Sequence, residues 1–299
     1  MENNPLVTIA STTFNMESFI GEAIDSWLAQ KTSFPIEIIV SDDGSTDRTC
    51  EIVKEYARKY PIIRLVSTGE HIGKMPNFIR SIMESKGKYI ALCDGDDYWI
   101  DTNKLQLQFD FMEANPSFSE CFTNSFVIDT LTGEKKIAKT QIWDEANTEG
   151  LLKHRDDDNV QMSPGHTSTF FFRNQYLKDY PRWMFGDVMT DFPLYMLMSR
   201  YGKARFINVV TSVYRHRPDG VSSKGFSFEK NIRRRIFVYK NVNKDFKFKY
   251  SDIINPIISD YYLSLGKLLF KTGHKVRGLL SGVKAITYSP SLLRKLLFS

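Results

Sequence analysis

The chain has 299 residues, 42% of them hydrophobic and 25% charged, with Lys+Arg 40 against Asp+Glu 35 for a net charge of +5. That composition excludes a disordered chain, and the length allows one large domain or one with a smaller appendage. The three cysteines (Cys50, Cys93, Cys121) form no CxxC pair, the N-terminus lacks a basic-then-apolar leader, and no run approaches about 18 apolar residues, so a disulfide framework, a thiolate metal site, secretion and membrane spanning are all disfavoured and a reducing cytoplasm is expected.

The first half alternates short β-rich runs with longer amphipathic ones, the pattern of a parallel sheet crossed by helices. Strands are predicted over residues 6–11, 36–41, 62–66 and 89–93, and helices over 17–30, 47–60, 76–85 and 103–114. In the first helix Phe19, Ile20, Ala23, Ile24, Trp27 and Leu28 recur at helical spacing, so one face packs on the sheet. Ser45 or Thr46 is the expected cap of the second helix, and Pro61 ends it. Beyond residue 115 strands are predicted over 121–129, 168–173 and 205–215, with a helix inside 184–201. The charged run 153–159 (KHRDDDN) reads as solvated loop, and 217–225 (RPDGVSSKG), rich in breakers, as a mobile one. From residue 227 onward the pattern is helical, in two or three pieces separated near Gly273 and Pro290.

Ligands of an open parallel sheet bind beyond the carboxyl ends of its strands. Three such ends here are polar: Ser11-Thr12-Thr13-Phe14-Asn15, Ser41-Asp42-Asp43-Gly44-Ser45 and Asp94-Gly95-Asp96-Asp97. Neither GxGxxG nor GxxxxGK[ST] follows a strand, so a dinucleotide site and a P-loop are both unsupported. Carboxylates repel a diphosphate, but they can hold it through a hard divalent cation that takes oxygen ligands from both. In Asp94-Gly95-Asp96 the glycine permits a tight turn that aims two carboxylates at one region.

These segments resemble the glycosyltransferases of family 2. TIASTTFN is similar to the family's first-strand motif, EIIVSDDGSTD to its second, and KYIALCDGDD to its DXD region. GHTSTFFFRN and VYRHRPDGVSS are similar to its later segments, so the resemblance spans about residues 6–223. It implies a GT-A fold, a Rossmann-like, mostly parallel sheet flanked by helices. Residues 1–226 would be the catalytic domain, with a nucleotide-sugar half at about 1–115 and an acceptor half at about 116–226, and residues 227–299 a helical extension. The resemblance further implies an inverting, metal-dependent transferase that moves a sugar from a UDP-sugar to a hydroxyl of a glycan or lipid-linked acceptor, as in bacterial surface polysaccharide assembly. Carried over by position, Thr12 and Phe14 flank the base, with Asn15 and Asp42 beside it, and Asp43 accepts from the base's imide N–H. Phe14 stands where tyrosine is usual; its ring can stack, but any hydroxyl contact is lost. Lys74 approaches the diphosphate, Asp94 contacts ribose or metal, and Asp96 coordinates Mn²⁺ or Mg²⁺. His216 lies where some relatives place a third metal or diphosphate contact. Asp191 matches the base that deprotonates the acceptor; Thr190 replaces the usual preceding glutamate, and Asp187 is the alternative.

Two other functions are open at this stage. A nucleotidyltransferase that makes the sugar nucleotide would also bind nucleotide and metal, but should carry a Gly- and Lys-rich loop where this chain has STTFN. A degenerate transferase fold could act as a membrane- or partner-binding module. After Asp260 no Asp or Glu occurs, while Lys267, Lys271, Lys275, Arg277, Lys284, Arg294 and Lys295 do, among leucines and valines spaced three or four apart. Such basic amphipathic helices either lie on an anionic membrane face or pack on the catalytic domain with lysines in water. With no aromatic interleaving, nucleic acid is not an expected partner.

Overall fold

The computed structural model describes residues 4–138, 144–153, 164–176, 180–186, 191–218, 220 and 227–291. The chain divides into two compact units, one of residues 1–185 and 190–220, the other of 186–189 and 221–299.

In the first unit β1 (Val7–Thr13), α1 (Ile20–Leu28), β2 (Ile36–Asp42), α2 (Thr49–Lys59), β3 (Ile63–Ser67), α3 (Lys74–Met83) and β4 (Tyr89–Leu92) alternate in the expected order. The four strands are parallel, ordered β3-β2-β1-β4. Then come β5 (Tyr98–Trp99), α4 (Lys104–Ala114), β6 (Phe118–Asp129), β7 (Lys135–Ile137), β8 (Glu145–Ala146), α5 (Thr148–Lys153), β9 (Phe170–Arg173), α6 (Phe192–Met198) and β10 (Lys203–His216). The sheet continues β9-β6-β10-β5, with β9 antiparallel to β4 and β6, and β10 parallel to β6. This mixed, mostly parallel sheet flanked by helices is the expected α/β architecture.

The core forms because the periodic residues of α1 meet the alternate residues of β1 and β2. Ile20, Ala23, Ile24 and Trp27 are fully buried in one cluster with Val7, Ile9, Ile38 and Val40. Each large side chain so buried contributes roughly 1.5–3 kcal/mol, which anchors the strands whose ends carry the polar loops. Arg173 fastens β9 to its surroundings: Nε donates to Phe118 O, Nη1 to Tyr89 Oη and Nη2 to Met112 O.

Several element boundaries differ from expectation for identifiable reasons. β1 runs on to Thr13 because Thr12 and Thr13 still pair with Ser41 and Asp42. α1 starts only at Ile20, since Met16 O accepts from both Phe19 N and Ile20 N and the chain turns there first. Neither Ser45 nor Thr46 caps α2: Ser45 bonds back to Asp42, and Asp47 Oδ1 accepts from Thr49 N at 2.9 Å. The strand expected from residue 168 opens as a tight turn, Thr167–Thr169, and extends only from Phe170.

The second unit holds α7 (Phe228–Asp245), α8 (Ser251–Lys271) and α9 (Lys275–Tyr288). Ser227 Oγ accepts from Lys230 N to cap α7. Lys247 and Phe248, with φ of 51° and 63°, turn the chain into α8, and Gly273, with φ of 83°, turns it into α9. No helix among the described residues is long and apolar enough to cross a membrane.

Candidate active site

The loops after β1 and β2 are fastened to each other by residues that the resemblance places at the nucleotide. Asp42 is fully buried and accepts from Thr13 Oγ1, Gly44 N, Ser45 N and Ser45 Oγ. Burial opposes its ionisation, but bonds from Ser45, Cys50 and Thr13 outweigh that and hold the carboxyl below its usual range. Asn15 adopts a left-handed φ of 53°; its Oδ1 accepts from Thr46 N at 2.8 Å and its own N–H donates to Ser45 Oγ. Asp42 and Asn15 thus shape the loops.

Asp43 reaches the next loop. Its Oδ1 accepts from Ile72 N at 2.8 Å and Gly73 N at 3.0 Å, and Oδ2 lies 3.1 Å from His71 Nδ1. This close fit needs Gly44, with φ of 77°, where a Cβ would stand 2.7 Å from Glu70 C and 2.8 Å from His71 N. Above it Phe14 is 41% exposed, with its ring centroid 4.8 Å from that of His71. An exposed aromatic pair beside a nearly buried carboxylate is a surface on which a flat base can stack while its edge meets an acceptor. His71 lies within the segment from which the sequence singles out only Lys74; its pairing with Phe14 depends on tertiary structure.

The third loop follows β4. Thr12 Oγ1 donates to Asp94 Oδ1 at 2.8 Å, so Thr12 steers a carboxylate. Gly95 N donates to Thr12 O, and a Cβ at Gly95 would stand 2.5 Å from Thr13 Cγ2, so this turn presses directly on β1. Asp96 Oδ2 lies 3.3 Å from Arg217 Nη1, while Arg215 Nη1 donates to Asp96 O at 2.6 Å. Asp97 is buried, with Oδ1 accepting from Arg215 N and Oδ2 without a hydrogen-bond partner. Burial pushes Asp94 up to about 6, with Lys74 opposing and Asp96 adding to the rise. Burial likewise raises Asp96 against the pull of Arg217, and raises Asp97 strongly with the charges of Asp96 and Asp94 behind it.

Asp191 is the N-cap of α6: Oδ1 accepts from Phe192 N at 2.8 Å, with Pro193 in the first turn. It is close enough for its charge to raise both Asp94 and His166. The alternative base Asp187, and Thr190, lie outside the described residues. His166 itself carries no signal that singles it out from sequence. It is half-buried, its Nδ1 lies 2.7 Å from Ser125 Oγ, its ring stacks on Tyr214 at 4.3 Å, and desolvation lowers its pKa to about 4.

His216 does not join Asp94 and Asp96. It ends β10 with Nδ1 3.5 Å from Asp129 Oδ2, and among the described residues no three His, Cys, Asp or Glu side chains form a metal cluster. The residue that meets Asp96 is Arg217, one position further on, in the segment read from sequence as a loop. A divalent cation nevertheless fits the remaining pair. Asp94 and Asp96 are hard oxygen donors whose ionisation burial opposes, and a cation of the Mg²⁺ class binds through one or two carboxylates with substrate phosphates and waters completing its shell.

A mostly parallel sheet flanked by helices, with Phe14 after its first strand, Asp43 after its second and an Asp-Gly-Asp turn after its fourth, has the architecture of a GT-A fold. Residues 8–179 match the family described as Glycosyl transferase family 2, and the chain belongs to that family. It is 28% identical over 244 residues to the UDP-Glc:alpha-D-GlcNAc-diphosphoundecaprenol beta-1,3-glucosyltransferase WfaP of Escherichia coli, covering 79% of this chain and 86% of WfaP. It is 42% identical over 117 residues to the uncharacterized Rv1520 of Mycobacterium tuberculosis, covering 39% of this chain and 34% of that one. The chain thus spans about a third of the length of this mycobacterial relative. Among solved structures, S. aureus TarS 1–349 in complex with UDP-GlcNAc superposes with a TM-score of 0.67 at 16% identity, over 94% of this chain and 79% of that one. The mannosyltransferase PcManGT of Pyrobaculum calidifontis, in complex with GDP-Man and Mn²⁺, does so with a TM-score of 0.56 at 18% identity, over 98% and 80%.

Proposed function

We propose that this chain is an inverting glycosyltransferase that moves a sugar from a UDP-sugar to a hydroxyl of a glycan or lipid-linked acceptor in bacterial surface polysaccharide assembly, working at the inner face of the membrane. One observation carries the proposal: the charge of Asp191 reaches Asp94, so a carboxylate able to act as base stands near the carboxylates suited to a cation-bound diphosphate. The match to WfaP over most of both chains supports the UDP-sugar and the lipid-linked acceptor.

In this mechanism Phe14 and His71 stack the uracil, and Asp43 accepts from its imide N–H. Thr12 orients Asp94, and Asp94 with Asp96 would hold Mn²⁺ or Mg²⁺, which supplies neutralisation of the diphosphate charge as it departs. Lys74, close enough to lower the pKa of both aspartates, adds a positive charge on the phosphate side. Asp191 takes the proton from the acceptor hydroxyl as its oxygen attacks the anomeric carbon opposite the diphosphate, and the C–O bond to that diphosphate breaks. The α6 cap fixes the orientation of Asp191 through Oδ1.

The test combines binding with turnover. UDP with Mn²⁺ should raise the melting temperature and GDP should raise it less. Asp191→Asn should keep that UDP response and lose transfer by at least about 10²-fold, the scale of a positioned base. Full turnover in Asp191→Asn, or metal-dependent turnover surviving Asp96→Asn, would sink the proposal.

A further inference from the structure

In the second unit α9 packs on α8 through its smallest residues. Gly278, Ser281 and Ala285 are the buried positions of α9. A Cβ at Gly278 would stand 2.6 Å from Phe270 Cδ2 and 3.1 Å from Gly266 O, so the two backbones approach closely. Ser259 Oγ of α8 donates to Ala285 O of α9 at 2.8 Å. Four large aliphatic residues of α9 are instead exposed: Val276 is 74% exposed, Leu279 63%, Leu280 56% and Val283 52%. At about 100° per residue these four share one stripe, on roughly the opposite side of the helix from Gly278, Ser281 and Ala285. By the same periodicity Lys275 flanks the stripe on one side and Lys284 and Arg277 on the other.

We infer that this face of α9 docks on the surface of an anionic lipid bilayer. Exposed aliphatic side chains between lysines are the arrangement of an interfacial helix, whose apolar face enters the headgroup boundary while lysine stems lie along it and their ammonium groups reach anionic lipid. Charge selects the partner: from Tyr261 to Ser299 the chain has seven Lys or Arg and no Asp or Glu. A protein partner fits less well, since binding hot spots favour Trp, Tyr and Arg and interfaces are depleted in Lys, whereas this stripe is Val and Leu rimmed mainly by Lys. Docking of this face is independent of the reaction chemistry, because no residue of α9 belongs to the proposed site.

The experiment is co-sedimentation of the full chain with phosphatidylcholine vesicles, with and without phosphatidylglycerol, at low and high salt. The protein should bind the phosphatidylglycerol vesicles and release at high salt. Leu279→Gln with Leu280→Gln should weaken binding by at least about tenfold. Lys275→Gln with Lys284→Gln should weaken it by roughly 10–30-fold, at about fivefold per cation. Both double variants change exposed residues, so their melting temperatures and UDP responses should match the parent. Unchanged sedimentation of the leucine variant would overturn the inference, as would equal binding to phosphatidylcholine alone. So would a concentration-dependent dimer, lost in the leucine variant, in a protein that ignores vesicles.

Discussion

Replacing Asp94 by Asn should stabilise the ligand-free protein while removing its response to nucleotide. Asn keeps an oxygen to accept from Thr12 Oγ1 but carries no charge into the crowd formed by Asp96, Asp97 and Asp191. Asp94 rises from 3.8 to about 6 on folding, mainly through burial. At about 1.4 kcal/mol per pH unit of displacement, the charged carboxylate costs the fold roughly 3 kcal/mol. Asp94 is only partly buried, so solvent screening reduces this to about 1–3 kcal/mol. The sign follows from linkage: above pH 6 the group is charged in both states and the whole penalty applies, while below about pH 4 it is neutral in both and none does. Melting followed by circular dichroism should therefore show Asp94→Asn about 2–8 °C above the parent at pH 7.5, and level with it at pH 4. With UDP and Mn²⁺ the order should reverse, because only the parent gains from ligand. A gain that persists at pH 4 would refute the electrostatic reasoning, and an undiminished UDP response in the variant would refute the assigned role.

Gly44→Ala should cost about 2–4 kcal/mol in urea unfolding and weaken UDP binding at least tenfold, since its Cβ meets the backbone at Glu70 and His71 that Asp43 holds in place. Gly69→Ala is the control: the same φ of 77° but nothing within 4 Å, so only the cost of the left-handed backbone, about 1 kcal/mol, should appear. His166 titrates near 4 when folded because of its burial, against the 6.5 of an ordinary histidine. As pH falls from 6.5 towards 4 the unfolded chain takes up a proton that the folded one refuses, so stability should drop by up to roughly 3 kcal/mol, and His166→Gln should flatten that slope in pH-dependent urea melts. Lys104 acts with the same sign at higher pH: burial over the Trp99 ring, where it bonds to Gln108, lowers it to about 8. Stability should rise between pH 8 and 10.5, where only the unfolded chain keeps the proton, and Lys104→Met should abolish that rise.

The parallel half of the fold was legible because its signals are local. A helix such as α1 shows its buried face as a 3.6-residue period, and Ile38-Ile39-Val40 is the short continuous apolar run of a strand covered on both faces. The elements that escaped were too short or too dependent on partners. β5 has only two residues, and it is a strand because Tyr98 and Trp99 pair with Val213 and Ser212 far along the chain. In α9 the periodicity of Val276, Leu279, Leu280 and Val283 was plain, but whether that stripe is covered depends on Gly266 and Gly278 letting two backbones meet. A large-residue pattern does not report that small residues on the other face make the contact.

The site shows the same division between residue type and residue use. A carboxylate with free lone pairs is satisfied equally by a ligand's N–H or by the N–H groups of its own loop, so Asp42 and Asp43 look alike in sequence. The structure separates them: Asp42 is enclosed by Thr13, Gly44 and Ser45, whereas Asp43 binds a neighbouring loop beside an exposed aromatic pair. Register at the end of β10 is the harder case. A step of one residue along an extended chain turns a side chain to the opposite face, so the difference between His216 facing Asp129 and Arg217 facing Asp96 is invisible to composition or spacing. It changes the electrostatics: the strand end brings a guanidinium, not an imidazole, to the crowded carboxylates. That guanidinium, 3.3 Å from Asp96 Oδ2, favours the charged form of Asp96 against the burial that opposes it.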